Sequence, residues 1–168
     1  MRGDNVILIG MPASGKSTVG VILAKVLGYD FIDTDLLIQR REGRRLSRIL
    51  LDEGLEGFLA IEDDVCAGLS ASRTVIATGG SAVYGRRGMA RLQALGRVVY
   101  LDVPFPALQA RLHDIRGRGV ALREGQTLFE LYEERTALYR RYADVTVDED
   151  GLTLEETVRA ALEALGGA

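Results

Sequence analysis

Lysine is nearly missing from this sequence: Lys16 and Lys25 are the only two, and every other permanently charged basic side chain is arginine. Asparagine occurs once, at Asn5, and cysteine once, at Cys66. A lone cysteine excludes an internal disulfide. In EDDVCAGL, at helical spacing among apolar neighbours, Cys66 reads as a small buried hydrophobe rather than a reactive thiol. No apolar run approaches the roughly 20 residues of a membrane span. The opening MRGDNVILIG carries no cleavage-site pattern, so neither a membrane partner nor a signal peptide is expected. The formal net charge of −3 argues against a nucleic-acid partner, which calls for a basic surface, and leaves room for a local basic pocket. A single domain over residues 1–168, a cytoplasmic monomer, is the expectation.

What is present is an alternation. NVILIG (5–10) is a continuous apolar run, as in a strand buried on both faces. Residues 17–27 have helical spacing and stop at Gly28. YDFIDTD (29–35) reads as a short strand ending in acids, followed by short helices over 36–43 and 46–54 and a longer one over 55–70. TVIATGG (74–80) and RVVYLDV (97–103) read as strands, with a helix over 86–95 between them. A helix over 106–115 precedes a polar, arginine-rich loop at 116–126. Then come a helix over 127–143, a strand at 144–148 and a helix over 153–165, whose Thr153 and Glu156 form a capping box. Strands alternating with helices predict an α/β fold with a parallel sheet covered by helices. Ligands of such sheets bind beyond the carboxyl ends of the strands. Lys16, Asp33 with Asp35, and Gly79 with Gly80 all fall there.

Gly10, Gly15, Lys16 and Ser17 match G-x-x-x-x-G-K-[ST] in order and spacing, between an apolar strand and a helix. Backbone N–H groups in such a loop wrap a polyphosphate, and glycine lets the chain come close. The following helix aims its positive end at the anion. Lys16 supplies a compact charge to the outer phosphates, where arginine's planar fork is no equivalent. The Ser17 hydroxyl suits Mg²⁺, which takes few protein oxygens besides phosphates and waters. Asn5 precedes this loop, so the Asn-Lys-x-Asp guanine reader of GTPases is absent.

Asp33 and Asp35 are expected on one face of the second strand. Asp33 would support the Mg²⁺ shell, and Asp35 would accept a hydrogen bond from the acceptor hydroxyl. The alternative for Asp35 is the N-cap of the next helix. TGGS (78–81) offers backbone N–H groups to a ligand or is a plain turn. Arg118, and with it Arg116, sits in the loop that would close as a lid over roughly 112–126, or that is simply solvated. Arg135 has no acid three or four residues away on its helix and is a candidate to grip a substrate carboxylate. Arg111 lies against a nucleotide base or on the helix surface, and His113 has no assigned role.

Together, GMPASGKSTVG, FIDTDLLIQRREG, FLAIE, TGGSAV, VVYLDV, the arginine loop and ERTALYRRYAD resemble the shikimate kinase family over nearly the whole chain. The resemblance implies a three-layer αβα fold with a five-stranded parallel sheet and a mobile lid loop. It implies transfer of the γ-phosphate of ATP, with Mg²⁺, to the 3-hydroxyl of shikimate. ATP would then contact Gly10, Ala13, Ser14, Gly15, Lys16, Ser17, Thr18, Arg111 and Arg118, and the metal Ser17 and Asp33. The catalytic residues would be Lys16, Asp35 and Arg118, and the acceptor pocket Asp35, Leu59, Gly79, Gly80 and Arg135. The chain departs from the family's Phe-Arg-x-x-Glu at Leu59, from its glycine triplet at Ser81, and from its lid Arg-Pro at Gly119. Leu59 opens a second reading, a paralogue acting on another small alcohol such as homoserine. A third is a nucleotide-binding regulatory module.

Overall fold

The computed structural model describes residues 3–113, 120 and 122–166, with the side chain of His113 excepted. Strand β1 (Asn5–Ile9) is buried along its whole length, as its unbroken apolar run requires. Helix α1 (Lys16–Leu27) follows and ends on Gly28 in the left-handed region. Strand β2 (Asp30–Asp33) leads into α2 (Thr34–Glu42), and α3 (Leu46–Ala67) returns to β3 (Thr74–Ala77). A 3₁₀ turn at Ala82–Tyr84 precedes α4 (Arg86–Leu95), β4 (Gly96–Asp102) and α5 (Phe105–His113). The chain closes with α6 (Leu128–Tyr142), β5 (Val145–Asp148) and α7 (Leu154–Ala164).

The five strands form one parallel sheet in the order β2-β3-β1-β4-β5. Side chains alternate along β1, so its two faces build two cores. Val6 and Leu8 join Val75, Val99 and Leu101 beneath α1 and α7, through Val19, Leu23, Val158 and Ala161. Ile7 and Ile9 join Ile76, Val98 and Tyr100 on the other face, beneath α3 to α6, through Met89, Leu92, Leu108, Leu131 and Tyr139. The result is the three-layer αβα arrangement with a five-stranded parallel sheet that the family resemblance implies. A separate small cluster, Ile38, Ile49 and Phe58, packs α2 against α3 beyond the edge strand.

One expectation stands and one changes. The helices foreseen over 46–54 and 55–70 follow one another within α3 and are parted by a kink at Gly54, at φ 69° and ψ −179°, where the boundary was drawn. The second strand stops at Asp33, not at residue 35, because the Asp33 carboxylate caps the next helix. Its Oδ1 accepts from the backbone N–H of Asp35 at 2.9 Å and of Leu36 at 3.4 Å. Asp33 and Asp35 therefore do not share a strand face. Asp33 is the cap, and Asp35 lies in the first helical turn.

Candidate active site

The crevice lies beyond the carboxyl end of β1, where the strand order reverses. The loop leaving β1 is held in conformations that a regular strand or helix would not allow. Gly10 sits at φ 151°, Gly15 at φ 87°, and Ala13, with a side chain, at φ 63°. A non-glycine residue in the left-handed region stores strain and marks a functional loop. Gly15 is the N-cap of α1, and no side chain caps that helix. The first-turn amides of α1 therefore point into the crevice, with the positive end of the helix behind them.

Lys16 folds back over this loop. Its Nζ donates to the carbonyl oxygens of Gly10 at 2.8 Å and Met11 at 2.7 Å, and to Ser14 Oγ at 3.3 Å. Burial lowers its pKa to about 8, against the opposing pull of the Asp35 carboxylate. The Ser17 hydroxyl donates to Asp33 Oδ2 at 2.7 Å. A hydroxyl and a carboxylate oxygen side by side at the loop's exit fit a hard cation that completes its shell with phosphates and waters. Arg111 reaches the loop from α5, Nη1 donating to the Ala13 carbonyl at 3.3 Å, so it is not a remote surface arginine.

A cavity of about 520 Å³ opens next to the loop. The phosphate-loop residues Ala13, Gly15, Lys16, Ser17 and Thr18 line it together with Asp33, Asp35, Gly79, Gly80 and Arg135. These ten of the expected donor and acceptor residues line one space, whereas Gly10, Ser14, Arg111 and Leu59 do not line it. Gly79 and Gly80 are tightly surrounded. A Cβ on Gly80 would lie 2.7 Å from the Pro12 ring and 3.0 Å from Arg135 Nη1, and one on Gly79 would run into Glu62 and, at 2.8 Å, Asp35 Oδ1. The Gly79 N–H is committed to Thr34 Oγ at 3.1 Å, so it is not available to a ligand as TGGS suggested. Arg135 is 1% exposed and stacks over the Tyr84 ring at 5.5 Å. Its neighbour on α6, Tyr139, donates to the Gly80 carbonyl at 2.5 Å and fixes the turn.

Leu59 is not part of this wall. It packs, half-buried, against the Ile38, Ile49 and Phe58 cluster. Arg116 and Arg118 lie outside the described residues, as do the rest of 114–119 and residue 121 of the expected lid. Cys66 is buried, and burial pushes its thiol up to about 12, so it stays protonated and packs as a hydrophobe.

Sequence reasoning missed Glu62 as a site residue. It is 1% exposed, its Oε2 accepts from the Ser81 hydroxyl at 2.5 Å, and its Oε1 has no hydrogen-bond partner among the described residues. Burial pushes its pKa up to about 7; the Asp35 charge adds to this, while Ser81, Arg135 and Lys16 oppose it. The signal was present: Phe58, Glu62 and Cys66 are spaced i, i+4, i+8, so an acid interrupts a buried stripe. Glu149, just past β5, is a second buried acid, pushed up to about 7 by burial and opposed first by Arg111.

A family profile described as shikimate kinase matches residues 12–166. The chain belongs to the shikimate kinase family. Similar family members include shikimate kinases from Gloeobacter violaceus, 42% identical over 95% of this chain and 93% of that protein, and from Salinispora arenicola, 40% identical over 89% and 90%. Among solved structures, the shikimate kinase from Acinetobacter baumannii in complex with shikimate superposes with a TM-score of 0.88 at 32% identity, over 97% of this chain and 93% of that one. A gluconokinase from Sinorhizobium meliloti, at 22% identity and a TM-score of 0.54, shares the fold alone. As a shikimate kinase family member the chain is an ATP-dependent phosphotransferase, which sets aside the regulatory-module reading. Among the described residues no helix is long and apolar enough to cross a membrane.

Proposed function

We propose that this chain transfers the γ-phosphoryl group of ATP to the 3-hydroxyl of shikimate. The observation that carries the reading is the single cavity in which Lys16 and Ser17 of the phosphate loop face Asp35, Gly80 and Arg135. The loop amides and Lys16 hold the outer phosphates, Lys16 exchanging its bonds to Gly10 and Met11 for phosphate oxygens. Ser17 and Asp33 would hold Mg²⁺, which neutralises charge on the transferred group. Asp35 accepts the proton of the attacking hydroxyl as the new O–P bond forms and the bond to the β-phosphate oxygen breaks, releasing ADP. Arg135 pairs with the acceptor carboxylate, and its low exposure makes that pairing strong. Arg111 packs on the adenine and Arg118 neutralises the transferred phosphate from the lid. The same reading carries a cytoplasmic monomer with no nucleic-acid or membrane partner.

The protein supplies positioning and charge neutralisation more than covalent chemistry. The test is an ADP-release assay with shikimate, homoserine and other small alcohols. Shikimate is expected to stimulate ADP release well above the others. Equal stimulation by homoserine, or none by any alcohol, would overturn the assignment.

A further inference from the structure

Arg45 occupies a place where an arginine has little local reason to be. It is the N-cap of α3, with φ −68° and ψ 152°, and makes no side-chain cap hydrogen bond. That position favours Ser, Thr, Asp or Asn, whose oxygen satisfies an open amide, and a guanidinium has no acceptor to offer. The arginines around it are committed. Arg44 donates to Glu42, Asp52 and Glu53 at 3.3, 2.9 and 3.0 Å, and Arg48 donates to Asp52 at 3.0 Å. Among the described residues no acceptor takes a hydrogen bond from the Arg45 side chain, although acids stand within reach of its neighbours on both sides. It lines the cavity instead, with Leu36, Gln39, Leu46 and Phe58 on the wall built by α2 and α3. Arg135 reaches the same cavity from α6, beside Gly80.

We propose that Arg45 is the second carboxylate-binding cation of the acceptor site and determines specificity for an acidic acceptor. This rests on the kinase reading above. Arg45, which is exposed to the crevice, and the buried Arg135 enter one cavity from different elements, so an acidic acceptor held there meets a cation from each side. The missing helix cap is then part of the arrangement: the residue at the cap position of α3 carries a cation to the cavity instead of an acceptor to the helix amides.

The test compares Arg45→Ser and Arg45→Lys with the wild type in steady-state kinetics, and titrates shikimate and its methyl ester calorimetrically. Serine supplies the missing cap, so Arg45→Ser is expected to melt no lower than the wild type. Its KM for shikimate rises about tenfold or more, its KM for ATP stays within about twofold, and Arg45→Lys falls between. Its preference for the acid over the ester shrinks by the same factor. An acid-to-ester ratio unchanged in Arg45→Ser would overturn the proposal, as would a matching rise in KM for the ester. A wild type that binds the acid selectively, loses that selectivity in Arg45→Ser, and yet releases no ADP would sink the kinase reading and leave Arg45's role standing.

Discussion

Replacing Glu62 by glutamine removes a charge that the fold holds at a cost. The carboxyl is buried, receives one hydrogen bond from Ser81, and shares the neighbourhood of Gly79 with the Asp35 carboxylate. Its pKa stands at about 7 against an ordinary 4.5. Between those values the folded protein keeps a proton that the unfolded chain releases, so stability falls as pH rises through the window. At about 1.4 kcal/mol per pKa unit the full loss is about 3 kcal/mol, complete above pH 7 and absent below about pH 4.5. Glutamine keeps the acceptor for Ser81 and carries no charge. Glu62→Gln should therefore melt near the wild type at pH 4.5 and roughly 6–12 °C above it at pH 8, as expected for a domain of this size. Calorimetric melting of both proteins at several pH values reads the difference directly. Glu149 is displaced in the same direction but is present in both proteins and cancels. Parallel melting curves across the whole range would refute the argument that burial governs this group.

Three further outcomes follow from the site. Lys16→Ala should abolish nearly all turnover while the sheet stays folded by circular dichroism, and residual activity above about a tenth of wild type would contradict the phosphate assignment. Lys16 in the free protein titrates near 8, and a bound polyphosphate restores its proton. ATP binding should thus take up protons above pH 8 and weaken toward pH 9, which calorimetry in buffers of different ionisation enthalpy will detect. Gly80→Ala would press a methyl group against Pro12 and Arg135, so KM for the acceptor and kcat should both worsen by about tenfold or more, with KM for ATP nearly unchanged.

The local chemistry of the chain was legible without coordinates. An unbroken apolar strand, a glycine-lysine-serine turn and a helix behind it can do little else than cradle phosphate, because the backbone geometry is set within nine residues. The alternation of strands and helices fixed the layer order, and the glycine at position 54 marked the break in α3 before it was seen. Where the sequence reading slipped, two local signals competed. The run FIDTD has strand character to its end, yet Asp33 captures two amides and turns the chain into a helix, so the two acids part company.

The acceptor side was decided by tertiary structure, since its residues come from five separate segments and meet only when the helices pack. Leu59 drew attention by its place in a motif, but it packs into a satellite cluster whose Phe58 lines the cavity while Leu59 itself does not. Arg45, 14 positions earlier in a run of arginines, has no sequence mark that separates it from Arg44 or Arg48. What separates it is which neighbours find carboxylates and which one faces the cavity, and that depends on how α2 and α3 fold against each other. The nine residues after β1 determined that the protein binds a polyphosphate. The packing of α2, α3 and α6 determined the space left for the molecule that receives it, because a buried charge takes its meaning from the groups brought beside it.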